Sequence, residues 1–141
     1  MRRYMQSVSM LILLMLIIGC GIDPNVPDSD VPGTYTVTYS PYSGTVLATE
    51  KLVLGANGTY EQTFTPKTGR PWKHTGRWSL DRSSGHPATC LNDYMQTLDF
   101  WGNRLLPKPK RTNWHRPVVY RYGVVTILIY EDAGYYFAKS P

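Results

Sequence analysis

The sequence predicts an all-β fold: a small antiparallel up-and-down barrel, or a strongly curled meander approaching one, with seven to nine strands behind an N-terminal signal peptide. Three observations predict it. From residue 33 onward, β-branched and aromatic residues alternate with polar ones at period two, which turns one face of a strand to a core and the other to water. Clusters of Gly, Asn, Asp, Ser and Pro cut these runs into short pieces. No helical pattern of the length a parallel crossover needs accompanies them, so neighbouring strands are expected to be sequential and antiparallel, and closure removes exposed edges. At 141 residues, 42% hydrophobic and 18% charged, the chain has the composition of one globular domain, which excludes a disordered, collagenous or polytopic membrane protein.

The elements follow in order. Tyr35, Val37 and Tyr39 alternate with threonines and read as a strand. After the turn residues Ser40 to Gly44, Thr45 to Leu54 forms a second run, with Val46, Ala48, Leu52 and Leu54 on one side. Asn57-Gly58 then separates this run from Tyr60, Gln62 and Phe64, a strong hairpin signal. Pro66 to Pro71 breaks the pattern, and Trp72, His74, Gly76, Trp78 and Leu80 share the core face of the next strand. Asp81 to Gly85 turns the chain and Ala88 begins another strand. Leu91, Tyr94, Met95 and Leu98 also fit helical spacing, so a short strand followed by an irregular or one-turn helical segment is expected there. Pro107, Pro109 and a basic block make 102–116 a long connection. Val118 to Tyr122, Gly123 to Tyr130 and Tyr135 to Ala138 complete the strands. Tyr35, Tyr39, Tyr60, Phe64, Trp72, Trp78 and Phe137 are assigned inward, and their bulk predicts a largely filled interior.

Residues before 33 have a different chemistry. Arg2 and Arg3, the apolar run Met10 to Ile18 and the small Gly19 match the three regions of a signal peptide. The run is too short for the ~20 residues of a spanning helix. The tetrad Ile17-Ile18-Gly19-Cys20 resembles the lipobox of bacterial lipoproteins. That resemblance implies cleavage before Cys20, a diacylglycerol thioether on its sulfur and acylation of the new amino group, which together anchor the chain firmly. Gly21 stands where an Asp would favour inner-membrane retention, so the resemblance implies a cell-envelope protein at the periplasmic face of the outer membrane. The organisation expected is a signal peptide over 1–19, a lipid-anchored flexible tether over 20–32, rich in Pro and Asp, and a barrel domain over 33–141. The Gly33-Thr34-Tyr35 start, Asn57-Gly58-Thr59-Tyr60, Gly76-Arg77-Trp78-Ser79-Leu80 and Gly134-Tyr135-Tyr136-Phe137 resemble bacterial lipocalin-like lipoprotein domains. This second resemblance implies a fold and leaves the ligand open.

Loss of Arg2 and Arg3 takes fifteen Lys and Arg to thirteen against ten acids, so the net charge falls from +5 to +3. Six of the thirteen, Arg104, Lys108, Lys110, Arg111, Arg116 and Arg121, lie within eighteen residues that contain no acid. Arg104, Lys108, Lys110, Arg111 and Arg116 form the candidate interaction surface, for another envelope protein, an anionic lipid or a polysaccharide. Nucleic acid is excluded as a partner by the envelope address and the missing recognition motif.

No reaction is legible. His74, His86 and His115 lack metal-ligand spacing, and His86 with Cys90 offers two zinc-type ligands without a third, so neither a metal nor a cofactor is expected. His74 reads as a hydrogen-bonded core or rim residue. Asp81, Ser83, Ser84 and His86 include the residue types of a hydrolytic triad but crowd one turn. Cys90 is single once Cys20 is lipidated and suits a buried strand position, with a Cys20–Cys90 disulfide as the alternative. The function expected is a non-enzymatic, lipid-anchored binding or interaction domain. A carrier or sensor of a small apolar ligand is the alternative, and a small hydrolase stands third.

Overall fold

A computed structural model of the chain describes residues 21–40, 44–99, 104–130 and 134–141. Its strands are β1 (Ile22–Asp23), β2 (Gly33–Tyr39), β3 (Ala48–Leu54), β4 (Thr59–Pro66), β5 (Trp72–Asp81), β6 (Ala88–Leu98), β7 (Leu105–Arg121), β8 (Val124–Tyr130) and β9 (Tyr135–Lys139). Strands β2 to β9 follow one another around a single antiparallel sheet, and the pairing of β9 with β2 closes it into an eight-strand up-and-down barrel. The ninth strand, β1, adds to β7 outside this circuit, Ile22 opposite Arg121 and Asp23 opposite Tyr120. The all-β prediction holds in class, in strand number and in sequential connection.

Local chemistry explains the turns. Between β3 and β4 the chain reverses through Gly55 to Gly58, with Gly58 at φ +78° and the Asn57 side chain accepting from the Thr59 amide at 3.1 Å. Tyr122 and Gly123, both at positive φ, make the two-residue turn joining β7 to β8, a geometry that matches the twist of the flanking strands. The core follows the predicted parity. Tyr35, Tyr39, Tyr60, Phe64 and Phe137 are buried, whereas Trp72 and Trp78 are half-buried and pack against the core from its edge. At the core's centre Trp114 stacks on Tyr94, ring centroids 4.2 Å apart, and meets the edge of Phe137.

Three expectations need correction. Residues 21–32 are packed, not a flexible tether. After β1 they form a 3-10 turn over Asp28–Asp30 and insert Val26 and Val31 into the end of the barrel, both essentially inaccessible. Side chains from four strand ends or turns tie them down: Tyr35 Oη donates to the Val31 carbonyl, Arg82 to the Val26 carbonyl and the Asp28 carboxylate, Tyr120 Oη to Asp30, and Lys139 Nζ to the Asp30 carbonyl. The proline spacing that suggested a loose linker instead confines its regular structure to the two residues of β1 and one 3-10 turn while it crosses the barrel mouth.

The second correction is at 91–98, which belongs to strand β6 rather than to a helical turn. Asp93, at φ +64°, marks a bulge between Leu91 and Tyr94. The extra residue moves the buried parity from Leu91 to Tyr94, and that phase shift created the apparent helical spacing. The third is at 102–116. Residues 100–103 lie outside the described set, but from Leu105 the segment is strand β7, paired with β6. Pro107 and Pro109 fall where the register jumps, so they interrupt the ladder without ending the strand.

Candidate functional site

Beyond Leu91 the hairpin of β6 and β7 leaves the wall. The β5–β6 ladder runs only from Trp78 opposite Leu91 to Asp81 opposite Ala88, and the β7–β8 ladder only over Val118–Arg121. Over residues 92–98 side chains from the interior replace the missing ladder. Tyr60 Oη donates to the Asn92 carbonyl at 2.9 Å, and His74 Nε2 bonds the Asp93 carbonyl at 2.8 Å. Gln62 donates to the Met95 carbonyl at 2.9 Å and accepts from the Met95 amide at 3.2 Å. His74 therefore has the hydrogen-bonded rim role its strand face suggested.

The same side of the interior buries one carboxylate, Glu50, 1% exposed on β3. It accepts from Tyr39 Oη at 2.8 Å and Gln62 Nε2 at 2.6 Å, and also from Tyr94 and Thr97. Burial pushes its pKa up to about 7, against the four donors, which favour the charged form. Burial and the Glu50 charge in turn raise the Tyr39 and Tyr94 phenols well above their ordinary value. Four donors on one carboxylate leave it little capacity to hold a ligand, so this cluster binds β6 to the barrel.

The five basic candidates divide. Lys108, Lys110 and Arg111 are exposed on β7, and Arg104 is exposed at its start. Arg104 lies 3.6 Å from Asp99 and Arg111 3.1 Å from Asp93, whereas Lys108 and Lys110 have no acidic partner among the described residues. Arg116 does not belong with them. It shares the strand face of Trp114, its guanidinium 5.2 Å from that ring centroid, and its buried Nε has no hydrogen-bond partner among the described residues. Its place over the buried Trp114 ring, two residues back on the same strand face, decides this.

A third feature surrounds Gly21, the residue after Cys20. Cys20 and the leader lie outside the described residues. The Gly21 carbonyl accepts from the Tyr122 amide at 2.7 Å, and the Tyr122 ring lies so close over Gly21 that an added Cβ would meet it at 2.6 Å. Ile22, Tyr122 and Val124 are exposed large apolar residues here, Tyr122 at 77%. Ile22 and Tyr122 line a shallow hollow with Tyr120 and Gly123. Among the described residues no helix is long and apolar enough to cross a membrane.

The turn at Asp81 also resolves. The Asp81 carboxylate accepts from the Ser83 amide at 2.8 Å and from Ser83 Oγ at 3.0 Å and lies 3.0 Å from His115 Nε2, so among the described residues the serine bonds the carboxylate directly and not through an imidazole. His86 contributes only its carbonyl to Ser84. Cys90 is a free thiol on the outer face of β6, not a core residue, because it alternates with the buried Leu91 and Thr89. Sequence reasoning missed its neighbours, Asp81 and His115, which the sheet register brings beside it. Comparison with protein-family models, curated proteins and solved structures gives no match for this chain.

Proposed function

We propose that the protein is a lipid-anchored lipoprotein of the bacterial cell envelope, and that its β-barrel acts as a non-catalytic interaction domain. One observation carries the reading: the residue after Cys20 is hydrogen-bonded into the barrel, at a rim where Ile22, Tyr122 and Val124 are exposed together. Consecutive Cα atoms are ~3.8 Å apart, so acyl chains on Cys20 would enter the bilayer directly beside this apolar rim. With residues 21–32 packed, there is no tether to lift the barrel away.

This arrangement also selects the partner. Arg111 is ten strand residues from Arg121, about 30 Å at ~3.3 Å per residue, and Lys108 and Lys110 are farther still. That distance is several Debye lengths at physiological salt, so the basic ribbon would not feel the headgroups of the membrane that holds the anchor. An acidic face of another envelope component, protein or polysaccharide, fits better than an anionic lipid. The carrier alternative is weaker, because Tyr39, Tyr94, Trp114, Phe137 and the saturated Glu50 cluster occupy the inner face.

The deciding experiment is metabolic labelling with a fatty-acid analogue. The parent should incorporate label and fractionate with the outer membrane, and Cys20→Ser should do neither. Continued labelling of Cys20→Ser, or an unlabelled parent, overturns the reading.

A further inference from the structure

We infer that Asp81, Cys90 and His115 form a binding site for a borderline-soft divalent cation of the zinc type on the outer wall of the barrel. The three residues come from three adjacent strands. Cys90 on β6 pairs with His115 on β7 on one side and with Ser79 on β5 on the other, and Asp81 follows Ser79 on the same outward face. One thiol sulfur, one imidazole nitrogen and one carboxylate oxygen lie within 4.8 Å of one another. His115 Nε2 is 3.0 Å from Asp81 Oδ2.

Two features prepare the group for a cation. The Ser83 amide and hydroxyl hold the Asp81 carboxylate in place, as outer partners orient metal-ligating carboxylates. The strand register sets the Cys90 sulfur on the same outward face, within 4.8 Å of that carboxylate and of the His115 imidazole, so the three ligand atoms converge on one point. The donor set chooses the metal. A thiolate with an imidazole suits zinc, cobalt or nickel and is wrong for calcium or magnesium, which take oxygen. Zinc–ligand bonds of ~2.0–2.3 Å set tetrahedral ligand atoms roughly 3.3–3.7 Å apart, so His115 and Asp81, now 3.0 Å apart, must open slightly and any pair near 4.8 Å must close by about an ångström. The half-exposed side chains can do that by small rotamer shifts. Three ligands from one chain leave a fourth position open to water or to a ligand from a partner. Binding forms a metal–sulfur bond and releases the thiol proton to solvent, with no change of oxidation state.

The test is titration of the reduced full chain in detergent with cobalt(II). We expect one equivalent to bind with near-ultraviolet sulfur-to-cobalt absorption, zinc to displace it, and zinc to slow alkylation of Cys90 at least tenfold. Cys90→Ser should abolish the absorption, and His115→Ala should weaken affinity by more than about 100-fold, because losing a direct ligand costs more than the 10–100-fold usual for losing an outer partner. Both positions are outward-facing and half-exposed or exposed, and an unchanged far-ultraviolet spectrum would verify that the variants fold. Absorption that persists in Cys90→Ser, equal affinity in His115→Ala, or no binding by the parent at tens of micromolar cobalt overturns the site. Run in a Cys20→Ser background, which removes the second thiol, these outcomes do not depend on whether Cys20 carries lipid.

Discussion

Glu50 occupies the buried position of β3 between Ala48 and Leu52, and its surroundings dictate how stability should vary with pH. Its folded pKa of about 7 lies above the 4.5 of an ordinary glutamate, because burial outweighs the four donors. Between those values the folded state binds the proton more tightly than the unfolded chain. Glu50 therefore favours the fold most below pH 4.5, and this contribution fades as pH rises to about 7, by an amount of order 3 kcal/mol. Thermal denaturation of the parent and of Glu50→Gln across that interval should show the decline in the parent and a flatter curve in the variant. Parallel curves would contradict the assignment. The position was legible in principle, since period two through Ala48, Leu52 and Leu54 passes through residue 50 facing inward. Two of its donors were not legible, because Tyr94 and Thr97 arrive from a strand more than forty residues away. The same limit hid Asp81 and His115 from Cys90: those two are thirty-four residues apart from each other, and only strand register brings them together beside the thiol.

At the scale of elements, the β6–β7 hairpin departs most from the sequence reading. Period-two alternation located β2 to β5 because their ladders have an uninterrupted register. In β6 one bulge residue reversed the parity, and in β7 two prolines and a run of bases masked a strand whose inward residues are Thr112, Trp114 and Arg116. A basic segment with prolines has the composition of a loop, but prolines and lysines are also how a strand edge is protected from pairing with another chain. That reading separates the fold from the interaction. Replacing Lys108, Lys110 and Arg111 with Gln should change stability by no more than about 0.5 kcal/mol, because all three are exposed and the Arg111–Asp93 pair is an exposed ion pair of little worth. Retention of envelope fractions by the purified protein should fall in the triple variant and should already weaken with salt in the parent. Early unfolding of the variant would make the bases structural; unchanged retention would remove them as the interaction surface.

At the scale of the whole molecule, the two ends of the barrel differ. One is stopped by Val26 and Val31, closed by the bonds of Asp28 and Asp30 to Arg82, Tyr120 and Lys139, and ringed by the apolar residues beside Gly21. The other carries the start of the basic ribbon. If Cys20 is the anchor, the apolar end must rest on the bilayer and the basic end must face away. The sequence could supply the anchor and the basic block separately, but it could not say that the intervening segment folds into the barrel, which fixes their relative direction. Attaching an environment-sensitive fluorophore at residue 122 or residue 108, through Tyr122→Cys or Lys108→Cys in a Cys90→Ser background, measures this in proteoliposomes of the lipidated protein. Brominated lipids should quench the label at 122 and leave the label at 108 unaffected. Inserting twelve Gly/Ser residues between Cys20 and Gly21 gives an r.m.s. reach of about 20 Å and should relieve the quenching at 122, because the lipid would no longer pin the rim to the surface. Quenching at 122 that survives the insertion would mean that Ile22, Tyr122 and Val124 hold the bilayer without the anchor. Equal quenching at 122 and 108 would mean that the barrel lies on its side, which would bring the basic ribbon to the headgroups and reverse the choice of partner.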